Sequence, residues 1–253
     1  VDRLNVFIKN YPYNLAKDRS NYVSHMDSFL DAYITGWLTT RDIVMLTYSR
    51  TNCRKSNFAI QDRIDLKCGR LLPEKREDSL WFYAGDRCCI DRPINVLTIK
   101  EQDITQNQSI SVDSNNNITL HTIKCSILDK PTGVTLYNGE IFDVIQCRDA
   151  NIWTPLNKFS YVTPYFIGQI LTIRHINDDI NYDIMYIPES QINEARVLIR
   201  KHTSRMFYLD LMSNFIKFYP KMDYGYCITI YKAQGSEWEH VLINLNSVKY
   251  CMV

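Results

Sequence analysis

The sequence predicts an α/β domain interrupted by an inserted β module. Two observations carry the α/β part. Short continuous apolar runs stand at Asp42 to Tyr48, Tyr226 to Ile230 and His240 to Leu245, and helical spacing flanks the first of them. A third observation carries the insertion: after Pro73 the chain breaks into short β-rich pieces separated by turn residues. The expected divisions are 1–75, 76–187 and 188–253, with the first and last forming one domain around the second.

From Asp18 to Leu38 a Ser/Asp-rich start leads into Val23, Met26, Phe29, Leu30, Tyr33 and Leu38 at helical spacing, which predicts an amphipathic helix ending near Thr39. Asp42 to Tyr48 has the continuous apolar form of a strand covered on both faces. Asn52 to Leu66, with Phe58, Ile60 and Ile64, reads as a helix, and strand followed by helix is the unit of an α/β sheet. The β pieces are Trp81 to Tyr83, Cys88 to Ile90, Ile94 to Ile99, Ile118 to Ile123, Val134 to Leu136, Ile141 to Ile145 and Ile170 to Ile173. Turns are expected at Gly85-Asp86, Ser114 to Asn117, Thr132-Gly133 and Asn138-Gly139, the last as a hairpin. The polar stretch from Glu101 to Asn117 is expected to form an exposed, mobile excursion. Helical texture returns from Pro188 to Phe218 and fits one helix or two.

A length of 253 residues, 45% hydrophobic and 23% charged, is that of a folded protein with a substantial core. The net charge of +1 gives no global nucleic-acid signature, so any such surface must be local. Arg50, Arg54, Lys55, Arg63, Lys67 and Arg70 form one basic cluster, and Arg196, Arg200, Lys201 and Arg205 a second. Each also fits a solvated helix face. The eight cysteines show no C-x-x-C pair and no zinc-ligand spacing, which implies no metal site and free thiols in a reducing, intracellular compartment. No stretch reaches the roughly 18 apolar residues of a membrane span, and no membrane partner is expected. A start at Val1 without Met fits an excised or processed chain.

The chemistry concentrates in the hinge Thr229-Ile-Tyr-Lys-Ala-Gln-Gly-Ser-Glu-Trp238. A polar segment leaving the carboxyl end of a buried strand sits where open α/β sheets bind ligands. Gly235 allows close backbone approach, and its amide can meet a phosphate. Hydroxyls (Thr229, Ser236), an ammonium (Lys232), an amide (Gln234) and a carboxylate (Glu237) suit a site touching phosphate and ribose. The same residues also suit a capped turn between a strand and a helix.

The segment Tyr224-Gly-Tyr-Cys-Ile-Thr-Ile-Tyr-Lys-Ala-Gln-Gly-Ser-Glu-Trp-Glu-His-Val-Leu242 resembles motif V of the RecD-like and Dda-like superfamily 1 helicases, usually Y-A-x-T-x-H-K-S-Q-G-S-E-F-x-x-V. Ile43 to Asn52, followed by Asn57 and Ile60, is similar to the motif IV region. Gly85-Asp-Arg87 and Leu136-Tyr-Asn-Gly-Glu140 resemble signatures of the β-barrel insertion. The resemblance implies a RecA-like second motor domain (2A) of P-loop NTPase type, split by an SH3-like β-barrel module (2B). It implies the C-terminal part of an ATP-dependent DNA helicase that moves on single-stranded DNA and unwinds duplex in replication, recombination or repair. On this resemblance Gln234, Gly235 and Glu237 face the nucleotide, with Gly235 near the terminal phosphate and Glu237 near the ribose, and Thr229, Lys232 and Ser236 contact the single strand or support the residues that do. Tyr231 takes the place of the usual His. Its ring could stack on a base, worth roughly 1–3 kcal/mol in single-strand binders, or pack in a core. Thr47 and Arg50 leave the first strand where DNA or nucleotide phosphates would lie.

No G-x-x-x-x-G-K-[ST] and no strand-closing Asp-Glu pair occurs in the sequence, so on this resemblance ATP and Mg2+ are cofactors whose phosphate cradle and magnesium ligands belong to an N-terminal RecA-like domain. Motif VI would follow Val253. The partners implied are that domain, single-stranded DNA and the duplex fork, and primase or other replication proteins. A catalytically degenerate scaffold subunit of a replication complex is the alternative. The abundance of Asn, Ile, Tyr and Lys hints at an AT-rich viral or phage genome, with nucleus or cytoplasmic virus factory as the compartment.

Overall fold

The computed structural model describes residues 30–31, 33–70, 80–112 and 118–244, with side chains of 106–121 set aside. The chain is mixed α/β and divides into two compact units, one made of the described residues through Arg70 together with those from Tyr224 onward, the other of residues 80–223. The start of the expected Asp18 helix, the Ser114 to Asn117 turn and the chain after Asn244 lie outside the described residues.

In the first unit the Ile43–Thr47 strand (β1) lies between Cys227–Thr229 (β9) and His240–Ile243 (β10), all parallel. The registers pair Thr47 with Thr229 and Leu46 with Ile243. Four of the five β1 residues are buried, as the continuous apolar run predicts for a central strand covered on both faces. A first helix (α1, described at 30–31 and 33–39) buries Leu30, Tyr33, Ile34 and Trp37. The second, α2 (Arg50–Cys68), starts at Ser49, whose hydroxyl accepts from the Asn52 N–H, and ends at Gly69 in the left-handed conformation that glycine adopts without strain.

The second unit is built on one branched sheet with the path β3-β4-β5-β2-β8, to which β6 adds beside β5 and β7 beside β6. Its strands are β2 (Arg87–Ile90), β3 (Ile94–Val112), β4 (Ile118–Leu136), β5 (Ile141–Ile152), β6 (Phe166–His175), β7 (Asn181–Tyr186) and β8 (Met222–Tyr224). Among the described residues these strands form no closed hydrogen-bonded ring. Two helices follow β7, α3 (Glu189–His202) and α4 (Arg205–Ile216), broken at Thr203-Ser204, where Ser204 caps α4 by accepting from the Phe207 N–H.

Several expectations are corrected. Of the polar stretch expected as an exposed, mobile excursion, Glu101 to Val112 are regular strand: they continue β3, paired with β4 from Glu101↔Ser126 to Val112↔Ile118, and 113–117 lie outside the described residues. A hairpin satisfies its own backbone, so it needs little apolar content to extend outward. Thr132-Gly133 is no turn but lies inside β4, between the pairs Asn95↔Thr135 and Leu97↔Pro131. Extra residues on one strand form a bulge there, which accommodates Gly133 at φ 82° and the missing N–H of Pro131. Asn138-Gly139 does turn the chain, but β4 and β5 meet only as parallel neighbours at Ser126↔Ile152, so no hairpin follows. Residues 81–83 form no strand, and β7, mixed in polarity, was not anticipated.

The largest correction concerns 188–223. The helices α3 and α4 belong with the β-rich unit rather than with the parallel sheet. Ile192, Ala195 and Ile199 of α3 and Leu211, Met212 and Phe215 of α4 share one core with Ile152, Phe166, Ile170 and Met185. Helical texture alone cannot reveal which sheet a helix covers. Among the described residues no helix is long and apolar enough to cross a membrane.

Candidate functional site at the carboxyl ends of the parallel strands

Parallel pairing brings the carboxyl ends of β1 and β9 side by side. The Ile230 N–H donates to the Thr47 carbonyl at 2.9 Å, so the first hinge residue is tied to the last residue of β1. Only Tyr48 and Ser49 separate β1 from α2. The hinge and the amino end of a 19-residue helix therefore converge where an open α/β sheet offers a ligand site.

The hinge itself is a succession of turns with no helix. Ala233 N–H donates to the carbonyls of Thr229 and Ile230 at 3.1 and 3.2 Å, and Ser236 N–H to that of Ala233 at 3.1 Å. The chain then runs without regular structure, through a bend at Glu239, into β10. Gly235 takes φ 84°, a left-handed conformation that would strain most side chains, with open space where a Cβ would stand. Gln234, Gly235, Ser236 and Glu237 are exposed, so amide, backbone N–H, hydroxyl and carboxylate are all available to a ligand.

The two threonines are both buried at the strand ends. Thr47 is fully buried, and its hydroxyl lies 3.4 Å from the Ser49 carbonyl and 3.8 Å from Cys227 Sγ. The exposed side chain at this end of β1 is Tyr48. Thr229, 9% exposed, accepts from the Lys232 N–H at 3.4 Å and so shapes the turn. Lys232 is half-buried, while Tyr231 is 82% exposed and its ring is open on the surface. The packed-core alternative for Tyr231 is thereby set aside.

At the amino end of α2, Arg50, Arg54 and Lys55 are exposed, and the first turn holds no acidic residue. The guanidinium of Arg54 lies over the Phe58 ring, 5.7 Å from its centroid. The remaining arginines of the cluster are paired, Arg63 with Asp31 at 3.4 Å and Arg70 with Asp65 at 3.4 Å. The cluster is thus divided: its amino-terminal half adds cations to the positive end of the helix dipole, and its carboxyl half is structural.

A set of residues not anticipated as a group holds this arrangement in place. Asn57 is buried on α2, donates from Nδ2 to the carbonyls of Tyr224 (2.8 Å) and Cys227 (3.0 Å), and accepts at Oδ1 from the Cys227 N–H (2.7 Å). One turn on, Gln61 Oε1 accepts from the Tyr226 hydroxyl at 2.7 Å, and its Nε2 donates to Asp65 at 2.9 Å. The Tyr33 hydroxyl donates to the Tyr226 carbonyl at 2.9 Å, and Trp37 meets the Tyr226 ring edge-on. The signal was present in the sequence as polar Asn57, Gln61 and Asp65 at i, i+4 and i+8 on the same side of the helix as Ile60 and Ile64.

Searches with the sequence find no matching protein-family model and no matching curated protein. The functional reading therefore rests on the motif and on the geometry just described.

Proposed function

We propose that this chain is the second motor domain, RecA-like with an SH3-like β insertion, of an ATP-dependent DNA helicase of superfamily 1. The observation that carries the reading is the hinge: an exposed Gln234-Gly235-Ser236-Glu237 turn leaving β9 beside the end of β1 and the cationic start of α2. Phosphates are anions, and the start of α2 supplies the helix dipole with Arg50, Arg54 and Lys55. Glu237 offers a carboxylate to a ribose hydroxyl, Gly235 a close backbone approach to the terminal phosphate, and Gln234 an amide to the nucleotide. Tyr231, exposed as an aromatic ring, is suited to stack on a base of the single strand, with Lys232 beside it. The buried threonines Thr47 and Thr229 shape the strand ends rather than touch DNA.

The residues fit half of a nucleotide site. Closure against a second domain bearing the phosphate-binding loop would complete it and move the single-strand contacts. On this reading magnesium would be held from that second domain. In the β unit, α3 and α4 would be additions to the SH3-like insertion.

The test is unwinding of a tailed duplex with ATP by the protein that carries this segment with its flanking sequence. Gln234→Ala and Glu237→Ala should each slow unwinding at least about a hundredfold, the usual cost of losing a group that contacts a transferring phosphoryl or its nucleotide, with circular dichroism unchanged. Wild-type rates in both variants would overturn the assignment.

A further inference from the structure

We propose that the outer faces of α3 and α4 form a docking surface for an acidic amphipathic helix of a partner protein. Val197, Leu198, Met206 and Leu209 supply the apolar contact, and Arg200, Lys201 and Arg205 the charge. The position of the two helices creates the surface. Ile192, Ala195 and Ile199 of α3 and Leu211, Met212 and Phe215 of α4 are buried in one core, so the opposite sides of both helices face outward from the same layer. A surface helix with one buried stripe is ordinarily polar on its other side.

Neither helix follows that rule. Met206 is 84% exposed, Val197 67% and Leu209 54%, and Leu198 is exposed beside Val197. On α4, Met206 shares a side with Leu209, three residues on. Single exposed apolar side chains are ordinary, but five of the thirteen large ones exposed among the described residues, Phe207 being the fifth here, fall within 197–209. Helix propensity accounts for an exposed Leu or Met. It does not account for Val197, whose branched side chain is a poorer helix former.

The charges decide what covers this surface. From Ala195 to Leu209 the chain carries Arg196, Arg200, Lys201 and Arg205 and no Asp or Glu, with Glu194 and Asp210 standing just outside. Arg200, Lys201 and Arg205 are exposed, and among the described residues no carboxylate pairs with them. The negative end of the α3 dipole accounts for Arg200 and Lys201 in its last turn. Arg205 is the first residue of α4, where the dipole is positive and disfavours a cation, so helix stability does not explain it.

A second copy of the chain would set this basic stretch against itself. A nucleic-acid strand would meet the cations but gain no stacking from the aliphatic Val197, Leu198, Met206 and Leu209. A helix with apolar residues at i, i+3, i+4 and i+7 and with Asp or Glu beside them matches both the apolar side chains and the charge. The flexible thioether of Met206 adapts to such anchors. The inference does not rest on the helicase reading, since none of these residues lies in the parallel unit.

The experiment is fluorescence anisotropy of a labelled synthetic helix of about 18 residues, five turns long, titrated with the full 253-residue chain in low salt. The peptide carries Leu at the helical spacing above, with Glu and Ala elsewhere; a second peptide replaces each Glu with Lys, and oligo-dT is the third probe. The acidic peptide should bind at least about tenfold tighter than the basic one, and salt should weaken it. Met206→Gln and Leu209→Gln should each weaken it about fivefold or more, the scale of a central contact, with circular dichroism unchanged because both positions are exposed and Gln is a good helix former. Arg205→Gln should weaken it about two- to threefold and lessen the salt effect. Equal binding of the two peptides, or affinity unchanged in both Gln variants, would overturn the proposal. So would oligo-dT binding that weakens on Met206→Gln, which would make the face a nucleic-acid surface. A dimer seen in sedimentation that dissociates on Met206→Gln, with no preference for the acidic peptide, would make a second copy the occupant and overturn it as well.

Discussion

The two units differ in how deeply they bury the polar contacts that hold helix against sheet. In the parallel unit, α2 grips β9 through buried polar side chains, Asn57 and Gln61, aimed at the backbone of Tyr224 and Cys227 and at the Tyr226 hydroxyl. In the β-rich unit, α3 and α4 lie on the sheet through Ile192, Ala195, Ile199, Leu211, Met212 and Phe215, and the polar bridge of α3 is exposed: Gln191 Oε1 accepts from the Ile167 N–H of β6 at 2.9 Å and its Nε2 donates to the Ile167 carbonyl at 2.7 Å. Hydrogen bonds are directional and fix one position, whereas apolar contacts tolerate small slides. The unit that bears the hinge is thus the one whose polar clamp is buried.

The sharpest way to break this contrast is Asn57→Ala. It leaves the Tyr224 carbonyl and the Cys227 N–H without their buried partner, while the Cys227 carbonyl keeps the Cys53 thiol, and each orphaned group costs about 1–3 kcal/mol. A loss of about 4 kcal/mol is expected, with faster amide exchange in β1 and β9 and unchanged exchange in β5, β6 and β7. Equal acceleration in both sets of strands would show that the clamp is not local to the parallel unit.

Ile199→Ala is the matching apolar test. Ile199 is fully buried in the shared core, and truncation of such a residue costs about 2–4 kcal/mol through lost transfer energy and a cavity. Ile199→Val should cost only about 1 kcal/mol, because the apolar interface adjusts to shape. A comparably mild substitution at Asn57 is not expected to exist: Asn57→Asp retains size but loses both donated bonds. Urea denaturation of the four variants measures the difference directly.

What the sequence made legible follows the same division. The continuous apolar runs around Val44 and Ile228 announced buried strands, since burial on both faces leaves no other pattern, and the run around Leu242 announced a strand of which only Leu242 is buried. The hinge announced itself by chemistry, and the structure leaves Gln234, Gly235 and Glu237 exposed for it. Thr47 was misread because a hydroxyl at a strand end looks alike whether it faces a ligand or a neighbouring strand. The attachment of α3 and α4 was misread for a physical reason too: Ile192, Ala195 and Ile199 specify that a face is buried, not what buries it. The long β3–β4 hairpin escaped because its polar sequence gives no alternation of the kind that marks a half-buried strand.

Glu101 supplies the smallest test and the most exact comparison with Asn57, because it is also a polar side chain joining separate elements. Its Oε1 accepts from the Ser126 hydroxyl of β4 at 2.7 Å and from Arg148 of β5 at 3.0 Å. The Ser126 hydrogen bond foremost, then Arg148, hold its carboxyl below the ordinary carboxylate value, against a partial desolvation that raises it. A depressed folded value means stability that is present above the unfolded value of about 4.3 and lost as pH falls through the folded one. Unlike Asn57, Glu101 is partly exposed, its side chain at 31%, and water screens the pair. Glu101→Gln should therefore cost only about 0.5–1 kcal/mol at neutral pH and should flatten the acid side of the stability curve. The same link between strands, moved from a buried site to a wet one, then differs severalfold in worth. A loss as large as that of Asn57→Ala would mean that geometry rather than burial sets the strength of these clamps.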